Sequence, residues 1–388
     1  MPTVANHPKP ADPGRQPTGL LDLVVDLAAL RANFQQLRQW CGPEVKIMAV
    51  VKADAYGHGL LPVARTLQGA GADYFAVAYV HEGLSLRQAG LAAPILLLMG
   101  ILPEQAAVAV QADLEVALFR RDIAECLAVR AREQGKKARV HLKIDTGMGR
   151  LGLAPTAVMP FLEFLSGLPE LAVAGIISHL ATSDWLDQTF SLQQVQEFNT
   201  LLGQVRDRGW SVPASHIANS GAILALRGSH FDMVRAGITL YGSPPSLEVP
   251  APVPLRPVMT ARTQILQLKE LAAGSSISYG RTYCAPAPLR LAVLPVGYCN
   301  GYSRLLSNRG QVLINGQRAP IRGRVCMNLT MVEATHLSGV TEGTPVTLLG
   351  PDGPDRLSAE ELAAWADTIS YEVYCLLGNS NYRRYTGA

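Results

Sequence analysis

The chain has 388 residues, 48% of them hydrophobic and 17% charged, with a formal net charge of +3. That length exceeds one ordinary small domain and predicts two, each with a buried core. The small charge and the absence of long like-charge runs give no support for a nucleic-acid partner or a polybasic membrane surface. No stretch reaches the roughly 20 uninterrupted apolar residues of a membrane span. The six cysteines are scattered without a Cys-x-x-Cys pair. Neither a disulfide framework nor a metal site is therefore expected, and a reducing cytoplasm is the expected compartment.

Residues 1–19 are polar and Pro-rich without the apolar core of a signal peptide, and read as a disordered tail. From about residue 45 to 242 one theme repeats: a short apolar run, then a longer amphipathic stretch. Strand-like runs fall at 45–51, 74–78, 94–99, 114–119, 140–145, 173–178, 215–218 and 234–240. Helix-like segments lie between them, among them 61–70, 104–111, 121–133, 157–165 and 192–208. The runs are continuous rather than alternating, as in parallel strands buried on both faces. Eight such units favour a (β/α)8 TIM barrel over a doubly wound sheet, and the barrel is expected over 20–249.

The Pro-rich stretch 244–257 reads as a linker. Beyond it the texture is β-rich. Asn315-Gly316 between apolar runs predicts a hairpin, and Ser358 with Glu361 three residues on predicts a capped helix. The expected fold class is thus α/β, a TIM barrel followed by a mainly β C-terminal domain over 250–388.

Reactive groups of such a barrel sit where strands end. Lys52 follows the run Met48-Ala49-Val50-Val51 and opens Lys52-Ala53-Asp54-Ala55-Tyr56-Gly57-His58-Gly59. A lysine at the mouth of a buried strand is partly desolvated, which suits Schiff-base chemistry with an aldehyde. Alone it would be an ordinary solvent-facing charge. The fifth strand runs into His141-Leu142-Lys143-Ile144-Asp145-Thr146-Gly147-Met148-Gly149-Arg150, where Arg150 offers a planar fork suited to a carboxylate. His179 ends the sixth strand and Ser220 opens a helix after the seventh. The eighth carries Arg235-Ala236-Gly237-Ile238. Loops after strands seven and eight are the usual phosphate site of this barrel. The second domain holds Ser278-Tyr279-Gly280-Arg281, Val325-Cys326-Met327-Asn328, Tyr298 and Tyr371.

Together these motifs resemble the alanine racemases, and the likeness runs from Leu21 over nearly the whole chain. The resemblance implies a homodimer with shared active sites, pyridoxal 5'-phosphate as cofactor, and D-alanine supplied for cell-wall peptidoglycan. It implies that Lys52 holds the cofactor and that Tyr56, Ser220, Gly237 and Ile238 bind its phosphate. Arg235 reaches the pyridine nitrogen as a donor, and His179 links it to a catalytic tyrosine. Arg150 and the backbone of Met327 meet the substrate carboxylate, and Lys143 matches a position that is often a carbamylated lysine orienting that arginine. Tyr298 and Tyr371 narrow the access route and ring a small pocket, and Tyr371 also lies among the cofactor contacts. The catalytic bases are Lys52 on the D-alanine side and Tyr279 of the partner on the L-alanine side. The chain departs from the pattern at Asn328, where an aspartate is common.

Three other functions compete with this one. A fold-related decarboxylase would present a carboxylate to the ring nitrogen, where this chain has Arg235. A non-enzymatic cofactor-binding protein would lack the β domain. A serine or broad-specificity racemase differs only in pocket size, and Tyr371 favours alanine.

Overall fold

The computed structural model describes residues 20–249 and 251–387, so the tail expected over 1–19 lies outside them. The chain divides into two compact units, one running from Asp26 to Val258 with the last residues of the chain. Helix α1 (Leu27–Cys41) opens this unit. The Asp26 carboxylate caps it, accepting from the Ala28 amide at 2.9 Å and the Ala29 amide at 3.0 Å.

Eight parallel strands follow: β2 (Lys46–Val50), β3 (Tyr74–Val77), β4 (Ile95–Leu97), β5 (Leu114–Leu118), β6 (Ala138–Lys143), β7 (Leu171–Ile177), β8 (Ser215–His216) and β9 (Met233–Ala236). They pair in the order β8-β7-β6-β5-β4-β3-β2-β9. Backbone bonds from Asp232 N to Ser215 O (3.2 Å) and from Arg235 N to Ala218 O (3.0 Å) join β9 to β8 and complete the ring. The expected TIM barrel is therefore what forms. Every residue of β3, β4 and β5 is buried, because side chains on one face fill the barrel and those on the other meet the helices. The last strand stops at Ala236, short of the expected run to 240. Gly237 at φ −115°, ψ −105° leaves the extended region and turns the chain into the short helical turn Ile238–Tyr241.

The second unit comprises, among the described residues, 20–25 together with Met259–Arg384. Strand β1 (Asp22–Asp26) belongs here by pairing, antiparallel to Met259–Gln264. Its Leu23 and Val25 are buried while Asp22 and Val24 are half-buried, the alternation of a strand with one covered face. A three-stranded sheet of Gln267–Leu271, Leu289–Leu294 and Thr330–Glu333 packs Leu289, Leu291, Val293 and Met331 around Ile277. The Asn315-Gly316 hairpin forms between Gln311–Ile314 and Gln317–Pro320, with both turn residues at positive φ (53° and 74°), as a type I′ turn requires. The capping box also forms. Ser358 Oγ accepts from the Glu361 amide at 3.2 Å, and Glu361 Oε2 from the Ser358 amide at 3.1 Å. Among the described residues no helix is long and apolar enough to cross a membrane.

Candidate active site

Past the end of β2 the backbone does something the sequence does not announce. Ala53, Asp54, Ala55 and Tyr56 all take φ between 52° and 55°, one turn of left-handed helix directly after Lys52. For residues with a Cβ this costs roughly 1–2 kcal/mol each, so surrounding bonds must hold it. The buried Glu82 carboxylate does so from one side. Its Oε1 accepts from the Ala53 amide (2.6 Å), and its Oε2 from the amides of Ala78 (2.9 Å) and Tyr79 (3.1 Å). From the other side the fully buried His58 places Nδ1 3.1 Å from Ala55 O and 3.0 Å from Tyr56 O. Its ring stacks on Tyr241 at 4.5 Å, and Tyr241 donates its hydroxyl to Val50 O at 3.0 Å.

Tyr56, four residues after Lys52 on this turn, carries the site to the end of the neighbouring strand β9. A methyl group on Gly237 would lie 2.8 Å from the Tyr56 hydroxyl and 3.6 Å from Ser220 Oγ, so only glycine leaves that space open. The Gly237 amide donates to Ser220 Oγ at 2.9 Å, and Ser220 Oγ lies 3.2 Å from Thr239 Oγ1. Asn219 caps the short helix Ser220–Ala225 through its bond from the Ala222 amide (3.2 Å). Hydroxyls, amides and a glycine floor converge there, a cradle suited to phosphate.

Arg235 points inward from β9 and is 3% exposed. Its Nη1 donates to His216 O (3.0 Å), and its Nη2 to Ser178 O (2.7 Å), Ile217 O (2.9 Å) and His179 Nδ1 (3.0 Å). Burial, with the charge of Arg150, brings this guanidinium down to about 9, so it remains a cation at neutral pH. Burial first, then the charges of Arg235, Lys143, Arg150 and Lys52, hold the His179 imidazole well below its ordinary value. Lys143, at the inner end of β6 and 7% exposed, is brought to about 7 by burial and by Arg235 and Arg150, against the pull of Asp145. A substantial fraction of its amine is thus neutral and nucleophilic near pH 7. Arg150 lies on an exposed loop gathered by Asp145, whose carboxylate accepts from the amides of Gly147, Gly149 and Arg150 at 3.0–3.1 Å. Ile238 follows the cradle, fully buried.

The second unit gathers the other set of candidates. Tyr279 is 72% exposed at the start of the turn Tyr279–Arg281. Ser278, at φ 64°, anchors it by donating its hydroxyl to Arg324 O at 2.6 Å. The Cys326-Met327 loop is paired to the Tyr298 turn by bonds from Tyr298 N to Cys326 O and from Cys299 N to Met327 O, both 3.0 Å. Asn381 ties that turn to the helix Ser370–Ser380, which carries the half-buried Tyr371, donating to Asn300 O (2.9 Å) and Leu377 O (2.7 Å).

In kind, the barrel residues fit pyridoxal phosphate: a strand-end amine for its aldehyde, the glycine-floored cradle for its phosphate, and a donor-only guanidinium for a ring nitrogen. Glu82, Glu115 and His216 are missing from the motif reading, and His141 stands in it without a role. For the last three a signal exists, since each is a polar residue set inside an apolar strand run, where burial demands a partner.

Two families of similarity converge on the same answer. Residues 25–245 match the family described as alanine racemase, N-terminal domain, and residues 258–385 the alanine racemase, C-terminal domain. An alanine racemase from Syntrophobacter fumaroxidans is 45% identical over 361 residues, covering 93% of this chain and 96% of its own length. The alanine racemase structure from Clostridium difficile superposes with a TM-score of 0.90 at 32% identity, covering 96% of this chain and 97% of that one. A Bartonella henselae alanine racemase structure with covalently bound pyridoxal phosphate matches with a TM-score of 0.86 at 30% identity, over 94% and 99% of the two chains. In fold, in both domain matches and over nine-tenths of its length, the chain belongs to the alanine racemases, isomerases that act on alanine.

Proposed function

We propose that this enzyme interconverts L- and D-alanine by a two-base mechanism with pyridoxal phosphate, as a cytoplasmic homodimer supplying D-alanine for peptidoglycan. The observation that carries the reading is the left-handed turn. It places Lys52 and Tyr56 on one rigid segment, so the amine and the Gly237 cradle have a fixed separation. The unit beginning at Asp26 acts as the cofactor-binding barrel, and the unit containing Met259–Arg384 as the domain that lends the second base. The six cysteines, scattered without a Cys-x-x-Cys pair, are the basis for proposing a reducing compartment.

When bound, pyridoxal phosphate supplies the electron sink that makes an amino-acid Cα–H removable. Lys52 holds it, and Tyr56, Ser220, Gly237 and Ile238 hold its phosphate, with Tyr371 closing that end. Both Nη groups of Arg235 are taken by protein acceptors, so its Nε–H is the donor left for the ring nitrogen, and it has no acceptor to offer. The Arg150 fork takes the alanine carboxylate, helped by the Met327 backbone. The partly neutral Lys143 amine is suited to taking up CO2 with loss of a proton, and the resulting carbamate charge would orient Arg150. Lys52 Nζ removes or returns the Cα proton on the D side. The phenol of the partner subunit's Tyr279 does so on the L side, and the exposure of Tyr279 in the single chain supports its use by another copy. His179 Nε2 carries the proton that such a phenol would meet, since its Nδ1 accepts from Arg235. Tyr298 and Tyr371 restrict the site to a small side chain.

Circular dichroism with L-alanine, L-serine and L-lysine in parallel tests the reading. Alanine should lose its optical activity much faster than the other two. Inactive Lys52→Ala and Tyr279→Ala proteins, mixed under conditions where subunits exchange, should regain activity, because one mixed site carries neither lesion. No optical change with alanine, or no rescue despite demonstrated exchange, would overturn the activity or the shared site respectively.

A further inference from the structure

A buried polar chain crosses the barrel interior beneath the candidate site. At its far end Glu115, on β5 and 2% exposed, accepts from Arg139 Nε at 2.6 Å through Oε1. Its Oε2 lies 2.7 Å from His141 Nε2 on β6. His141 Nδ1 is 2.8 Å from His216 Nε2 on β8, and His216 Nδ1 is 3.1 Å from Arg235 Nη1 on β9. Both imidazoles are fully buried. Beyond Arg235 the chain continues to His179 Nδ1 at 3.0 Å.

The donors in this chain can be arranged in one way only. A guanidinium has N–H groups and no acceptor, so His216 Nδ1 and His179 Nδ1 must each present a lone pair. Burial foremost keeps His216 and His179 neutral, so the single N–H of His216 sits on Nε2 and donates to His141 Nδ1. His141 then carries its proton on Nε2 and donates to Glu115. The reverse arrangement would leave His216 accepting at both nitrogens, a state a neutral imidazole does not have. Every N–H therefore points one way, from Arg235 through His216 and His141 to the Glu115 carboxylate. Burial works to raise that carboxyl, and the bonds from His141 and Arg139 outweigh it and hold it below the usual range.

Building on the reading that Arg235 and His179 serve the active site, we propose that Glu115, His141 and His216 are positioning residues for racemisation. They form a one-way hydrogen-bond relay, anchored on a buried carboxylate, that fixes the Arg235 fork and keeps His179 in its Nε2–H tautomer. None of the three touches substrate. Arg235 sets the polarity of the relay, and Glu115 terminates it as the buried acceptor of the last N–H. Without Glu115 the His141 N–H has no buried partner, and the His141 and His216 rings that brace the Arg235 fork lose their anchor.

The test uses the holoenzyme labelled with 15N-histidine, in which long-range proton–nitrogen NMR reads each tautomer directly. His141, His179 and His216 should all be Nε2–H, and an Nδ1–H tautomer at any of them would overturn the relay without any variant being made. Kinetics then use Glu115→Leu, which removes the acceptor, and Glu115→Gln, which keeps an acceptor oxygen for His141 while Arg139, more than half exposed, turns to water. Glu115→Leu should lower kcat at least about tenfold with KM for alanine within about twofold, and Glu115→Gln should recover most of that loss. Arg235→Lys serves as the control for the underlying reading. If it is impaired while Glu115→Leu keeps the wild-type kcat, the relay is wrong and the site assignment stands. If Arg235→Lys is itself unimpaired, the site assignment fails.

Discussion

Glycine substitution at Ala53 separates a left-handed turn from an ordinary helix by the sign of its effect. Ala53 sits at φ 54°, ψ 51° with its side chain exposed, so its methyl group contributes little burial. The left-handed conformation costs an L-residue roughly 1–2 kcal/mol, a penalty absent for glycine. Against that relief stands the greater freedom of glycine in the unfolded chain, about 0.4–1 kcal/mol. The balance predicts that Ala53→Gly stabilises the barrel by roughly 0.5–1 kcal/mol. In a right-handed helix the same change would destabilise by about 1 kcal/mol. Ala53→Val, with a branched Cβ at positive φ, should instead destabilise by at least about 1 kcal/mol.

Three of the four tryptophans, Trp40, Trp185 and Trp210, lie in the barrel unit, so tryptophan fluorescence during urea unfolding reports mainly on it. With a slope of about 2–3 kcal/mol per molar urea, the Ala53→Gly midpoint should rise by roughly 0.3 M and the Ala53→Val midpoint should fall. Activity should move against stability in the glycine variant, because the freedom that relieves strain also loosens the hold on Lys52. A lowered midpoint in Ala53→Gly would refute the strained-turn reasoning.

Gly237→Ala should weaken pyridoxal phosphate binding at least about tenfold, or roughly 1.4 kcal/mol, because the added methyl lies 2.8 Å from the Tyr56 hydroxyl. Fluorescence titration of cofactor-free protein measures this, and unchanged affinity would rule out the cradle. Acid should destabilise the barrel from the histidine range downward. His179 and His216 have folded values well below the ordinary 6.5, so the unfolded chain takes up their protons first. Their contribution is complete above about pH 6.5 and is lost as pH falls below it, at about 1.4 kcal/mol per pH unit for each group. Urea unfolding at pH 7.5, 6.5 and 5.5 should show a loss across the first interval, to which Lys143 contributes as it titrates near 7, and a larger loss across the second, where the two imidazoles dominate. A flat profile down to pH 5.5 would mean that these imidazoles are not held neutral.

Much of the barrel was legible because its signal is a repeated one. Eight continuous apolar runs need both faces covered, and few architectures cover eight. Strand β1 escaped that reading for the same physical reason. Its Asp-Leu-Val-Val-Asp stretch buries only Leu23 and Val25, and it pairs antiparallel beside the second unit's own strand. The left-handed turn was hidden because Ala, Asp and Tyr carry no mark of positive φ. What holds it, Glu82 and His58, becomes apparent only once the backbone is known. The relay was hidden differently. Glu115, His141 and His216 stand on three strands whose inward register is set by barrel closure, which no single stretch of sequence specifies.

Asn328, the one departure noted in the motifs, gains a physical account from its neighbours. Its amide nitrogen donates to Cys299 Sγ, and Cys299 Sγ in turn donates to Asn300 Oδ1 at 3.4 Å. Asn300 Nδ2 donates to Asn381 Oδ1 at 3.3 Å, and Asn381 closes the circuit on Asn300 O. The Met327 loop, the Tyr298 turn and the helix bearing Tyr371 are thus joined by a chain of neutral groups. An aspartate at 328 has no hydrogen to donate, so the thiol would have to turn its own proton toward the carboxylate and release Asn300. The amide therefore lets one thiol serve two loops at once, and it does so without adding a negative charge beside the Tyr298 turn. What the departure removes in charge it returns as a fixed spacing among the residues proposed to size the pocket.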